Sequence, residues 1–469
     1  MFRRMRLKII RKLLKMLHSQ GIHLWSFLII IGIVTYTLQI NGILQQNGIN
    51  NSSKNDAITN TLLIQRLTRT GAAKANKDNS KLTNAQLQKY GMALQEKLTD
   101  SRSTEVSDIQ SKSFLSTSST HPDCKLQTHI VFLKMHKSAS STVMNILFRF
   151  GEAQNLMFAF PIKRESRWFY PDYFSASYVQ GFSPYKKNKF DIMLHHMRFQ
   201  RSEIEKVMPD DSFYFSILRN PVHLMESSFS YFTEAQAFQK ARTLDKFLDQ
   251  PLQFYNASDE HSGLVKNLMT FDFGFNHNGN SSAKDAQLNI EAIENMFDLI
   301  LIAEYFDESM ILLKEALCWN LDDVVYFRLN SRSNRRRTPL SKNTIEKIKS
   351  WNKLDWELYI HFNRTFWERI DQTIGRERMQ QEVKKLHKRR EELARTCLQG
   401  EGMTDPQQIK DLLLAPYQHG RARILGYNLK PGLDKVTKEQ CIRLIIPELQ
   451  YSQLLYYKQF SIKKKFRNA

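Results

Sequence analysis

Cysteine is scarce in this 469-residue chain: there are four, Cys124, Cys318, Cys397 and Cys441, and no two stand as a C-x-x-C pair. That removes the usual ligand spacing of a structural zinc site, so no metal is expected. An even number, all beyond residue 120, suits disulfides in an oxidising compartment and leaves their pairing open. No Asp-x-Asp triplet occurs, which argues against a metal-dependent enzyme acting on nucleotide-sugars. Acidic side chains are outnumbered, 47 against 68 Lys and Arg, for a formal net charge of +21. Polyanionic nucleotides or acidic glycans are favoured by steering. Nucleic acid is not, because no recognised binding motif accompanies the charge. Aromatic residues are nearly missing between residues 41 and 113, where Tyr90 stands alone in a background of Asn, Ser, Thr, Gln and Lys. Such a segment cannot bury enough apolar surface to fold by itself.

Between Ile22 and Ile40 there is no Asp, Glu, Lys or Arg, close to the ~20 apolar residues that cross a bilayer. Arg3, Arg4, Arg6, Lys8, Arg11, Lys12 and Lys15 precede it without an acidic residue among them, which orients the N-terminus to the cytosol. No small-x-small cleavage pattern follows Ile40, so the reading is an uncleaved anchor rather than a signal peptide. Its length suits the thinner early secretory membranes. The expected organisation is a cytosolic basic tail (1–21), a transmembrane signal anchor (22–40), a lumenal stem (41–120) and a folded domain (121–469). A helical stretch over residues 82–98 offers a surface for a homo-oligomer, against the plainer reading of a solvated helix. Sequons stand at Asn50, Asn51, Asn256, Asn280 and Asn363.

The run Ile130 to Leu133 is short, β-branched and aromatic, as a buried parallel strand requires. Val143, Ile146, Leu147 and Phe150 then mark one helix face, with Gly151 as the expected stop. Ser138, Ala139, Ser140, Ser141 and Thr142 therefore fall at a helix N-terminus, where free N–H groups and the helix dipole favour an anion. The hydroxyls and the Lys137 ammonium add donors. No glycine occurs between His129 and Phe150, so a nucleotide kinase with G-x-x-x-x-G-K-[ST] is disfavoured. A second buried strand, residues 212–218, ends at Arg219, with Asn220 placed as N-cap and Pro221 as first helical residue. Arg219 thus emerges at a strand end beside the first loop, and Ser227 lies on the helix that follows. Two anion sites on adjacent strand ends fit a nucleotide with phosphates at both ends. Strand candidates at 192–194, 297–302 and 324–327 and helices at 309–318, 351–367 and 377–393 complete an alternation that predicts an α/β fold: a central, mostly parallel sheet flanked by helices with right-handed crossovers. The arginine-rich residues 332–337 either lie over the nucleotide or are solvated surface.

Several pieces together resemble the galactose 3-O-sulfotransferases, a family that includes galactosylceramide sulfotransferase. They include Phe132-Leu-Lys-Met-His-Lys-Ser-Ala-Ser-Ser-Thr142, Asn145-Ile-Leu-Phe-Arg-Phe-Gly151, His196-Met-Arg-Phe199, Leu218-Arg-Asn-Pro221, Glu226-Ser-Ser-Phe229 and Ile424-Leu-Gly-Tyr-Asn428. The resemblance covers roughly residues 122–460, and departs at Asn220, where relatives often have Asp; either residue caps a helix.

The resemblance implies a P-loop-like sulfotransferase core and the co-substrate 3′-phosphoadenosine 5′-phosphosulfate. Lys137, Ser138, Ala139, Ser140 and Ser141 match the loop that holds the 5′-phosphosulfate, and Arg219 and Ser227 the pair that holds the 3′-phosphate. His136 and His196 match histidines that look functionally required, and either suits a general base; His195 reads as support. Lys134 matches a family lysine whose role, substrate contact or structural pairing, stays open. The implied reaction is sulfuryl transfer to the 3-hydroxyl of a terminal β-galactose on a glycolipid or glycoprotein, by a single-pass type II protein of the Golgi membrane with a lumenal catalytic domain. Two other classes share the topology, a Golgi glycosyltransferase and a non-catalytic membrane-tethered glycan-binding protein.

Overall fold

The computed structural model describes residues 124–467, apart from 163–165, 186–188, 280–281, 334–338, 401 and 421. The expected tail, anchor, stem and 82–98 helix lie outside the described residues, as do Asn50, Asn51 and Asn280. Among the described residues no helix is long and apolar enough to cross a membrane.

Five strands, β1 (Ile130–Leu133), β2 (Phe158–Ala159), β3 (Ile192–Met193), β4 (Phe213–Leu218) and β5 (Leu299–Ile302), form one sheet in the order β2-β3-β1-β4-β5. Every pairing is parallel. Helices cover both faces of such a sheet, which is why β1 reads as an unbroken apolar run and is wholly buried. The main helices are α1 (Ser140–Ala153), α2 (Pro221–Tyr231), α3 (Leu268–Asp272), α4 (Phe306–Leu317), α5 (Lys342–Trp351), α6 (Lys353–Thr373), α7 (Arg376–Cys397), α8 (Lys435–Ile445) and α9 (Glu448–Arg467). From β1 the chain runs to β2 and β3 on one side, then returns to β4 and β5 on the other. The strand order therefore reverses between β1 and β4, whose carboxyl ends open a crevice of the kind in which α/β sheets bind ligands.

Two disulfides join Cys124 to Cys318 and Cys397 to Cys441. The first anchors the chain ahead of β1 to the end of α4, and the second ties α7 to α8.

Three local expectations need correction. Gly151 does not stop α1, which continues to Ala153. Its missing side chain instead lets β2 and β3 approach: a Cβ there would lie 2.8 Å from Ile192 Cδ1 and closer still to the Phe158 ring. Residues 324–327 are not a strand. An Asn320–Asp323 capping box starts a short helix, Leu321–Val324, and the Arg149 guanidinium donates to the carbonyls of Asp322, Asp323 and Val325. With those acceptors taken, no ladder forms. The helix expected over 351–367 is present as α6 but starts two residues later and runs on to Thr373, because the chain breaks at Asn352, whose side-chain oxygen accepts the Asn267 N–H at 2.8 Å. Gly151→Ala should destabilise the domain by about 1–3 kcal/mol through overpacking, read as a lowered denaturant midpoint; an unchanged midpoint would show that the Phe158 ring yields at no cost.

Candidate active site at the sheet switch point

The loop from β1 to α1 turns without glycine. Lys137 and Ala139 both adopt left-handed backbone, at φ 58° and 62°, which costs about 1–3 kcal/mol for each such residue. Hydrogen bonds hold the turn closed. Ser138 and Ser140 donate to the Met135 carbonyl at 3.2 and 2.6 Å, and Ser141 donates to Glu448 at 2.6 Å. The Thr142 hydroxyl accepts the Leu329 N–H at 3.0 Å. The hydroxyls that the sequence offers as anion donors are thus engaged within the protein. Ala139 caps α1 with no side-chain hydrogen bond; the Thr142 N–H is taken by the Ala139 carbonyl at 3.0 Å, and Ser140 and Ser141, at the start of the helix, line the crevice, where a helix N-terminus favours an anion.

That crevice is a cavity of about 430 Å³. It is lined by His136, Lys137, Ala139, Ser140, Ser141, His196, Arg219 and Ser227, with Arg328 and Arg332 opposite. Arg219 leaves the end of β4 and donates to the Lys137 carbonyl at 2.7 Å, so the two strand ends are joined. Asn220 accepts the Val222 N–H at 3.0 Å as N-cap of α2, with Pro221 following, as the sequence indicates; this sets the helix so that Ser227 faces the same cavity. Arg332 lines the cavity and pairs with Glu226 of α2, while residues 334–338 lie outside the described set. The Lys137 ammonium sits 3.5 Å from the centre of the Tyr231 ring. Burial and the neighbouring charges of Arg219, Arg332 and Lys134, opposed by Glu448, push its pKa down to about 7.

The two histidines stack face to face, ring centres 3.9 Å apart and planes within 7°. His136 Nδ1 lies 2.9 Å from Asp272 Oδ2 and 3.2 Å from Oδ1, and the His136 backbone N–H also donates to Oδ2, at 3.1 Å. His196 Nδ1 lies 2.9 Å from the Lys134 carbonyl. A carbonyl can only accept, so His196 carries its proton on Nδ1 and leaves Nε2 bare. Burial, then His136 and Lys134, drives the His196 pKa well below its ordinary value, keeping it neutral. His195 points away, its Nε2 2.9 Å from the Ser452 hydroxyl, with burial lowering its pKa to about 3. Lys134 lies outside the cavity lining and is 2% exposed, its ammonium on Glu448 at 2.6 Å. Of the residues singled out in the sequence, Ser138, Lys134 and His195 are therefore off the cavity wall, and His136, Lys137, Ala139, Ser140, Ser141, His196, Arg219 and Ser227 are on it. Asp272, Tyr170 and Glu448 were not singled out: Asp272 and Glu448 contact the loop across 100 or more residues of chain, Tyr170 reaches it through Asp272 and its ring contact with His136, and none belongs to a local pattern.

Residues 82–459 match the family model described as galactose-3-O-sulfotransferase. The chain belongs to the galactose-3-O-sulfotransferase family. It is 50% identical over 339 residues to galactose-3-O-sulfotransferase 2 of Homo sapiens, covering 72% of this chain and 85% of that one. It is 37% identical over 410 residues to galactose-3-O-sulfotransferase 4 of Bos taurus, covering 72% and 84%. Against galactosylceramide sulfotransferase of Homo sapiens it is 39% identical over 334 residues, covering 70% and 78%. The match takes in the whole sheet and both strand-end loops, so the cavity of this sulfotransferase lies inside the shared region.

Glu448, at the first turn of α9, holds both Lys134 and Ser141. Burial alone would raise its pKa, but Lys134 and Ser141 outweigh that and bring it below the ordinary range. Glu448→Ala should destabilise the domain by about 3–5 kcal/mol, because it leaves a buried lysine without its counter-charge. Chemical denaturation would check this, and a loss below about 1 kcal/mol would mean that Lys134 finds water.

Proposed function

We propose that this sulfotransferase moves the sulfuryl group of 3′-phosphoadenosine 5′-phosphosulfate to the 3-hydroxyl of a terminal β-galactose on a glycolipid or glycoprotein. The observation that carries the reading is the 2.7 Å bond from Arg219 to the Lys137 carbonyl, which puts two cationic strand ends within the span of one small nucleotide. On this reading the N-terminal amides of α1 and Lys137 hold the 5′-phosphosulfate, while Arg219 and Ser227 hold the 3′-phosphate.

Sulfuryl transfer is an in-line displacement. The galactose O3–sulfur bond forms as the bond from sulfur to the bridging phosphate oxygen breaks, and adenosine 3′,5′-bisphosphate departs. As in phosphoryl transfer, positioning and electrostatics carry the catalysis. Lys137 neutralises the charge that builds on the leaving oxygen. The attacking hydroxyl must lose its proton, and His136 Nε2 takes it. His196, held neutral, offers its bare Nε2 as an acceptor that orients the hydroxyl. The same cations neutralise the donor without a metal ion, so activity should survive chelation.

Residues 22–40 are read as a signal anchor that leaves the folded domain in the Golgi lumen. The two disulfides support an oxidising compartment. Of the described sequons, Asn256 is exposed in a loop, whereas Asn363 lies within α6 and is partly covered. A glycosidase-sensitive mass shift, lost in Asn256→Gln, tests this topology.

Adenosine 3′,5′-bisphosphate should bind saturably, and its affinity should fall as pH rises past about 7, by up to about tenfold per unit, because binding an anion requires the protonated Lys137 and takes up a proton. Lys137→Arg should remove that dependence. His136→Ala should keep nucleotide binding and lose transfer by about 10²-fold or more. Near-normal turnover in His136→Ala would remove that residue from the mechanism, and failure to capture the nucleotide would sink the whole reading. Radiolabelled donor offered with galactosylceramide, lactosylceramide and N-acetyllactosamine would identify the acceptor.

A further inference from the structure

We infer that Asp272, steadied by Tyr170, is the positioning residue that lets His136 act as the base: its carboxylate fixes the His136 tautomer and balances the imidazolium formed during transfer. The inference rests on the sulfuryl-transfer reading above and concerns groups that do not line the cavity.

Asp272 is completely buried. A carboxylate in that position is costly unless donors surround it, and all the hydrogen bonds its oxygens make run toward the base: the His136 backbone N–H at 3.1 Å, His136 Nδ1 at 2.9 and 3.2 Å, and the Tyr170 hydroxyl at 2.8 Å. Because the carboxylate accepts at Nδ1, the His136 proton sits there and Nε2 faces the substrate side with its lone pair. The mounting is rigid. The Asp272 carbonyl accepts the Phe199 N–H at 2.9 Å. At the other end of α3, Asp355 accepts the N–H groups of Met269 and Thr270 at 3.0 and 2.8 Å and the Thr270 hydroxyl at 2.7 Å.

The need for a negative charge follows from what else faces His136. Its stacked neighbour His196 is kept neutral, Lys134 lies behind it, and Lys137 follows it in the chain. The Lys134 charge is already matched by Glu448, and a proton arriving at Nε2 from the galactose O3 would meet the rings of Tyr170, His196 and Phe232. Asp272 is the carboxylate bonded to the ring, 2.9 Å from Nδ1. Tyr170 is the second controlling group. Burial, then the Asp272 charge, raises the Tyr170 pKa well above its usual value, so the phenol remains a donor and orients the carboxylate. The other titratable or charged groups around the pair are Asp355, Arg167 and Arg198.

Asp272→Asn is a close test of charge against shape. An amide oxygen can keep both bonds to His136, and the amide nitrogen can meet Tyr170 if the phenol turns to accept. The folded holo state is checked by adenosine 3′,5′-bisphosphate binding and melting temperature. The expected result is a kcat lower by about 10²-fold, with donor KM changed less than about threefold. The acidic limb of the kcat/KM profile should move down by about one pH unit or more as the carboxylate charge is lost. Unchanged kcat and an unmoved limb would overturn the inference while wild-type transfer and an inactive His136→Ala leave the wider reading standing; no transfer by wild type would overturn both. If Asp272→Asn does not accumulate, Tyr170→Phe replaces it. Removing a donor from the carboxylate should shift the acidic limb upward while transfer persists, and an unmoved limb would count against the assignment.

Discussion

The Met135 carbonyl and the Glu448 carboxylate together hold the one backbone turn on which the site depends. Two residues of that turn, Lys137 and Ala139, stand in the left-handed region at an energetic cost that glycine would avoid. Three serine hydroxyls offset it. Ser138 and Ser140 converge on a single carbonyl, and Ser141 reaches across to α9. At about 0.5–1.5 kcal/mol for each hydrogen bond, more when the partner is charged, the three offset a strain of comparable size. A glycine-rich phosphate loop gains its curl from backbone freedom. This one gains it from side chains bonded beneath it, and the same bonds hold the start of α1 against the cavity.

Much of this was legible locally. The apolar run of β1, the Asn220–Pro221 start of α2 and the arrival of Arg219 at a strand end are short-range patterns with mechanical causes, and the switch point between β1 and β4 follows from them once the sheet is parallel. The departures have equally specific causes. Gly151 reads as a helix stop because glycine usually is one, yet here its bare Cα admits the Phe158 ring. Residues 324–327 look like a strand because they are β-branched and aromatic, yet Val324 ends a short helix and Arg149 takes the Val325 carbonyl. Asp272 and Glu448 reach the loop across 136 and 307 positions, counting to His136 and Ser141, and Tyr170 meets Asp272 across 102. No window on a single sequence encloses such pairs. The hydroxyl cluster was visible, but its orientation was not, because only the fold decides whether a serine faces the guest or its own backbone.

The electrostatic design separates holding from reacting. Lys134 and Glu448 neutralise each other behind the cavity wall, where the pair stiffens the loop without adding charge to the surface. In front of the wall burial, then the charges of Arg219 and Arg332, brings the Lys137 pKa down to about 7. A dianionic guest relieves that repulsion. The same charges favour an anionic guest over a neutral one.

The ion pair between Lys134 and Glu448 spans 314 residues of chain, which gives the protein an order of assembly. During vectorial synthesis the first strand and its loop emerge long before the carboxylate that will sit beneath them. Until α8 is fastened to α7 by Cys397 and Cys441 and α9 swings in behind it, the loop has a lysine with nowhere to put its charge. The loop is thus braced last, by a residue from the far end of the chain.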